Sequence, residues 1–164
     1  MIPYTIEDEH ASQSPYSPGI VTPTETLLRL GFHPEHIRDG KLSPTTISLN
    51  DLGERGFSVD RQAHVKRRVI EDRAREQMTR RPEDRQEALI SPFVCSVVRE
   101  LTDEESQRAF LVIDTAEPEN CAHASIYSAY PRGKGQLRKI RSLLLPLLQS
   151  YVLLETYLQN ASHP

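Results

Sequence analysis

The stretch from about Gln136 to Tyr157 carries Ile140, Leu143, Leu144, Leu147, Leu148, Tyr151 and Leu154 at spacings of three and four, and Leu158 continues the series. Leu145, Val152 and Leu153 widen this stripe nearly around a helical cylinder. A helix of that kind needs cover on most sides, either from the rest of the chain or from another chain docked on one side. Gln149 and Ser150 make it too wet, and its length too short, for a membrane span. Pro146 removes one backbone bond and predicts a kink. Leu144, Leu148 and Tyr151 are the residues expected on a partner-facing side.

Cover within the chain comes from β-structure. Phe93–Val98 and Phe110–Ile113 are apolar and rich in β-branched residues, and Ala122–Ser128 alternates between two sides. Glu117-Pro118-Glu119-Asn120 reads as the hairpin loop between the last two. Upstream, Val65, Val69, Ile70, Ala74 and Met78 form one narrow stripe, predicting a helix over 65–81 that Pro82 ends. Thr24 is positioned to cap a short helix through Leu27, Leu28 and Leu30, closed by Gly31. Pro34 to Asp39 reads as a further helical turn. Ile47 to Val59, punctuated by Gly53 and Gly56, reads as short strands or a strand and a loop.

Residues 1–23, broken by Pro3, Pro15, Pro18 and Pro23, read as an extended arm ordered only if something holds it. Residues 24–160 then form a single domain, with 161–164 as a tail. The expected fold class is α+β: a small antiparallel sheet packed against helices, with a long apolar helix at the C-terminal end.

A net charge of −3, from 20 basic and 23 acidic residues, argues against a globally basic nucleic-acid coat protein. Cys95 and Cys121 cannot form a disulfide framework or a zinc ribbon. The start lacks the basic and apolar regions of a signal peptide, which leads to the expectation of a cytoplasmic protein with no membrane contact.

Three constellations bear on chemistry. No acidic residue lies between Glu119 and Glu155, while Arg132, Lys134, Arg138, Lys139 and Arg141 cluster around Pro131-Arg132-Gly133-Lys134-Gly135. Glycines and a helix N-terminus there suit an anion such as phosphate or a nucleic-acid backbone, although the string is not a Walker A loop. The 65–81 helix is also dense in arginine, but Glu71 with Arg75 and Glu76 with Arg80 neutralise it internally, as on a solvated face. In the second constellation, a hairpin of Phe110–Thr115 with Ala122–Ser128 brings Asp114 close to opposite His123. An Asp that orients a His is two-thirds of a hydrolase triad, with Cys121 or Ser125 as nucleophile. No Gly-x-Ser-x-Gly elbow accompanies it. Third, His33 with His36 and Cys121 with His123 are two-ligand fragments. Zinc needs three or four ligands, so no metal or other cofactor is expected.

Leu42-Ser43-Pro44, Gly56-Phe57-Ser58-Val59-Asp60-Arg61 and Pro118-Glu119-Asn120-Cys121-Ala122-His123-Ala124 together resemble a pattern of small uncharacterised bacterial proteins, in which an SVDR-like segment precedes a late AHA strand. The resemblance carries no activity. It directs attention to Ser58, Asp60, Arg61 and His123 as one shared cleft.

The leading functional reading is therefore a non-catalytic subunit or adaptor that contacts another chain, self or different, through the terminal helix and the Pro-rich arm. The alternatives are phosphate or nucleic-acid binding through the basic Gly-containing loop, and a small hydrolase using Asp114 and His123.

Overall fold

The computed structural model describes residues 2–164. Its elements are β1 (Thr26–Pro34), β2 (Ile37–Arg38), β3 (Lys41–Leu42), β4 (Phe57–Arg61), α1 (Arg67–Arg80), β5 (Arg85–Val94), α2 (Cys95–Glu100), β6 (Phe110–Asp114), β7 (His123–Ser128), α3 (Lys134–Leu148), β8 (Val152–Leu153) and α4 (Leu154–Asn160). Six strands form one antiparallel sheet in the order β6-β7-β4-β1-β5-β8, and β2 and β3 make a separate small hairpin. The class is α+β.

One face of the sheet presents Leu27, Phe57, Val59, Leu89, Phe110, Val112, Ala124 and Ile126, which pack on Leu137, Ile140, Leu144 and Leu148 of α3. The other face is covered in two parts. Over β1 and β5, Leu28 and Ile90 meet Ile70 and Ala74 of α1 and Leu154 and Leu158 of α4. Over β6 and β7, Leu111, Ile113 and Tyr127 meet Ile2, Tyr4 and Ile6 of the N-terminal segment. The strip between the two covers is β4, whose residues on that face are the polar Ser58 and Asp60.

The long C-terminal helix is not one helix. It stops at Leu148, where Pro146 cannot donate to the ladder and Gln149 N–H closes back on the Pro146 carbonyl at 3.3 Å. The chain then adds β8 to the sheet edge, with Leu89 opposite Leu153 and Ile90 opposite Val152, before α4 begins. Two thin helical faces, each on its own side of the sheet, thus account for the nearly all-round apolar pattern of the sequence. No helix among the described residues is long and apolar enough to cross a membrane.

Thr26–Pro34 is a strand rather than the short helix its leucines suggest, because nine residues of β5 offer it a continuous partner. Pro34 to Asp39 holds β2 and its turn rather than a helical turn. The Ile47–Val59 segment contains a wide turn over Asp51–Arg55, then β4. The strand expected over Phe93–Val98 ends at Val94, and the chain turns into α2 at Cys95.

Polar side chains hold the N-terminal arm on the sheet. Arg61 is 2% exposed and donates to Glu25 at 2.8 and 2.9 Å and to the carbonyls of Gly19 and Ile20 at 2.6 and 2.9 Å. Asp114 accepts from Ser12 at 2.7 Å and from Ser17. Glu9, 7% exposed, accepts from Arg99 at 2.9 Å, from Arg108 at 2.6 Å and from the Val112 N–H at 2.7 Å. These buried charges are each multiply bonded, as burial in a low dielectric requires.

Candidate functional site

β1 and β4 pair only at Leu27 with Arg61 and Leu28 with Asp60, after which the two strands diverge. Where the ladder has ended, Arg29 crosses the split: its Nη1 donates to the Ser58 carbonyl at 2.8 Å, and its guanidinium lies 4.1 Å from the centroid of the Phe57 ring. The split opens into a slot of about 430 Å³, walled by β1, β4, the inner side of α1 and the start of β7.

β4 pairs with β7 so that Ser58 stands opposite Ser125 and Asp60 opposite His123. Ser58 and His123 are therefore diagonal neighbours on one face, within reach of each other's side chains. His123 Nε2 lies 3.2 Å from Ser58 Oγ, and Nδ1 lies 3.0 Å from the Thr115 carbonyl and 2.9 Å from Thr115 Oγ1. A carbonyl can only accept, so its contact places the proton on Nδ1 and leaves Nε2 an acceptor facing the serine hydroxyl. Glu117 Oε1 is 3.8 Å from Nδ1, beyond hydrogen-bond reach. A serine, an imidazole of the correct tautomer and a backbone group that orients it are the parts of a nucleophile–base pair.

The expected pairing of Asp114 with His123 is not formed. Asp114 stands opposite Ala124, one residue out of the anticipated register, so it projects from the other face and joins Ser12, Ser17 and Arg61. Arg61 leaves the cleft for the same reason: period-two alternation sends Ser58 and Asp60 to the slot and Arg61 to the arm. Asp60 is already occupied, by Asn120 Nδ2 at 2.8 Å and by Arg73. Ser125 is bonded to Thr115 Oγ1 at 2.7 Å, behind His123, and not to the imidazole.

Three arginines, Arg29, Arg73 and Arg85, and three carboxylates, Asp51, Asp60 and Glu117, line the slot, so its formal charges balance. Burial pushes the Arg29 guanidinium down to about 10, with Asp51 pulling the other way, so it remains a cation at neutral pH. Burial raises the Asp51 carboxyl above its ordinary value despite Arg29 and Arg55. His36 also lines the slot, and its Nδ1 accepts the Phe32 N–H at 2.9 Å. Burial holds His36 below its ordinary value, outweighing the pull of Glu35.

The basic segment before α3 lies elsewhere, beside the 102–107 loop. Arg132 is bonded to Asp103 at 2.7 Å, to Ser128 Oγ at 3.0 Å and to the Arg108 carbonyl at 3.2 Å, and Lys139 is bonded to Glu104 at 2.9 Å. Arg141 reaches the Ile47 carbonyl at 3.4 Å, and Lys134 and Arg138 are exposed. Two of these five cations are thus neutralised by acidic residues of a loop that sequence distance concealed. Leu144 and Leu148 are 0% exposed, inside the chain's own core, and Tyr151 donates to the Gly40 carbonyl at 2.7 Å. The two leucines consequently are not on the surface where a partner-facing side was expected.

On α1, Glu76 pairs with Arg80 as expected, while Glu71 takes Arg67 and Arg75 takes Asp72. Arg73 is the exception, directed to the slot. His33 is exposed, and no group of three or more His, Cys, Asp or Glu among the described residues is arranged to hold a metal. Sequence reasoning missed Arg29, Thr115 and Arg73. Arg29 did carry a signal, a single charge inside the apolar string Leu27-Leu28-Arg29-Leu30.

No protein-family model, curated protein or solved structure matches the chain.

Proposed function

We propose that this protein is a small hydrolase whose nucleophile is Ser58 and whose general base is His123, acting on an ester of a small molecule bound in the split between β1 and β4. The observation that carries the reading is the 3.2 Å contact between Ser58 Oγ and an imidazole nitrogen left free to accept a proton. Ser58 Oγ attacks the acyl carbon as its proton passes to His123 Nε2. The adduct collapses, the leaving alcohol takes that proton, and an acyl–Ser58 ester remains. Water then attacks the acyl carbon, gives a proton to His123 and releases the acid, and the proton returns to Ser58. This replaces Asp114 as the partner of His123 with the Thr115 carbonyl.

The test is release of p-nitrophenolate from p-nitrophenyl acetate by the full chain. Enzyme-dependent turnover lost in both Ser58→Ala and His123→Ala, with unchanged melting curves, supports the reading. Equal turnover in the wild type and both folded variants overturns it. Free thiols at Cys95 and Cys121 fit a reducing, cytoplasmic setting.

A second reading, an adaptor that docks on another chain, is favoured by the edge strand β8, where Val152 and Leu153 are 40% and 45% exposed. Native mass spectrometry of Val152→Lys against the wild type tests it. An assembly present only in the wild type supports this reading, and a monomer in both removes it.

A further inference from the structure

The two edges of the sheet are finished differently. At β6 the Val112 N–H donates to Glu9 at 2.7 Å and the Val112 carbonyl accepts from Arg99 at 3.0 Å, so side chains close that edge. At the other edge β8 pairs only with Leu89 and Ile90 of β5, and no strand lies opposite Arg85–Ala88 on that side. Phe32, the β1 residue opposite Ala88, spends its N–H on His36 Nδ1 and its carbonyl on the His36 N–H, each at 2.9 Å. In an antiparallel ladder both members of such a pair turn their backbone groups away from each other, which directs those of Ala88 to the outer edge. Beside it lies a groove of about 540 Å³ with an apolar lining of Ala74, Met78, Ala88, Leu153, Leu154 and Leu158. Arg67 and Arg75 line the same groove with Glu71, Glu87 and Glu155. Arg67 is bonded to Glu71 at 2.5 Å and Arg75 to Asp72 at 3.1 Å. The exposed carboxylates of Glu87 and Glu155 have no hydrogen-bond or ion-pair partner among the described residues, so the charge the groove leaves open is negative.

We infer that this groove docks an extended segment of another protein, one that alternates basic and apolar residues, laid along the free edge of β5. The inference rests on the adaptor reading and deepens it, and it is independent of Ser58 and His123. An added strand takes its affinity from backbone hydrogen bonds to the edge and its specificity from what alternate side chains meet. Glu87 and Ala88 project to opposite faces of the sheet, so a strand beside them meets a carboxylate on one face and the apolar lining on the other. Glu155 adds a second carboxylate at the start of α4, and Val152 and Leu153, 40% and 45% exposed, extend the apolar ground. A second copy would bring its own Glu87 and Glu155 to the same edge, where like charges oppose pairing. The occupant is therefore a different, basic chain.

Titration of a short synthetic peptide of alternating lysine and valine into the ¹⁵N-labelled full chain, followed by amide chemical shifts, tests the inference. The expected result is saturable shifts at Ala88 and Leu153, with affinity weakened about fivefold or more when Glu87→Gln and Glu155→Gln are combined. Both side chains are exposed, so the double variant keeps the wild-type fold. Absence of saturable shifts in the wild type overturns the inference, as does equal affinity in the double variant or for a peptide of alternating glutamate and valine. Equal affinity for the lysine peptide N-methylated throughout, which cannot donate to the edge, overturns it too. An assembly that Val152→Lys abolishes, without peptide binding, keeps the adaptor reading and removes this partner. Peptide binding by a chain that stays monomeric in native mass spectrometry keeps the groove and removes only a stable complex.

Discussion

His123 Nε2 faces the Ser58 hydroxyl across the diagonal of the β4–β7 ladder at 3.2 Å, while the opposite ring nitrogen is fixed by the Thr115 carbonyl at 3.0 Å. Backbone register creates the pair, and a backbone carbonyl sets its tautomer. Thr115→Val keeps that carbonyl and removes the hydroxyl, which lies 2.9 Å from His123 Nδ1 and 2.7 Å from Ser125 Oγ. Turnover is therefore expected to fall severalfold in Thr115→Val and to vanish in His123→Ala, as read from p-nitrophenolate release. Equal losses in the two variants would show that the hydroxyl, rather than the carbonyl, orients the ring.

Gly56 enters β4 at φ +91°, and an added Cβ would lie 2.8 Å from Ser125 Cβ and 2.9 Å from the Tyr127 ring. Gly56→Ala combines a disfavoured backbone with a clash against strand β7, and about 2–4 kcal/mol of destabilisation is expected in urea unfolding. A shift below about 0.5 kcal/mol would mean that β7 yields at this point.

Arg61 joins the arm to the sheet. Arg61→Leu leaves Glu25 and Asp114 without their cation, and a loss of about 3–5 kcal/mol is expected. Limited proteolysis should then cut within residues 11–20, where the wild type resists. A protected arm in the variant would show that Ser12, Ser17 and Glu9 hold it unaided.

Stability should fall on acidification in two stages. His36, held by burial below its ordinary 6.5, favours its neutral form in the fold, so its contribution is full above pH 6.5 and is lost as pH falls through its lowered value. Burial raises Glu25, but the bond from Arg61 and the Thr22 N–H outweigh it, so its carboxyl lies below the ordinary 4.5. Its contribution is present above that value and disappears as pH drops through the folded one. Urea midpoints measured from pH 8 to 3 should decline below 6.5 and again below 4.5. His36→Gln should flatten the first decline, and an unaltered profile would assign it to another group.

Leu148 is fully buried against the sheet, so Leu148→Ala should cost about 2–5 kcal/mol in the monomer alone. A neutral result in urea unfolding would return the residue to the surface role that its helical spacing suggested.

Much of the fold was legible where one period dominates over several residues. The alternation of Ala122–Ser128, the apolar run Phe110–Ile113 and the stripe from Val65 to Met78 each became the element they suggested. Leu27, Leu28 and Leu30 misled because their spacing suits a helix locally, while the decisive interaction is pairing with β5 some sixty residues away. Pro146 marked the end of α3, yet the leucines beyond it belong to the opposite face of the sheet, a division no one-dimensional period reveals. His123 was visible as a candidate, with Ser58 beside it through the SVDR-like segment, but a slip of one residue in the β6–β7 register gave the imidazole Asp114 in place of Thr115 as its orienting partner. The slot itself comes from a divergence between two strands, and its arginines come from elements forty residues apart in the chain.

The most direct measurement is the intact mass of the protein after treatment with a fluorophosphonate, followed by peptide mapping. The expected result is a single adduct on Ser58 that is absent in His123→Ala. An unmodified protein, or an adduct on another residue with Ser58 untouched, would contradict it.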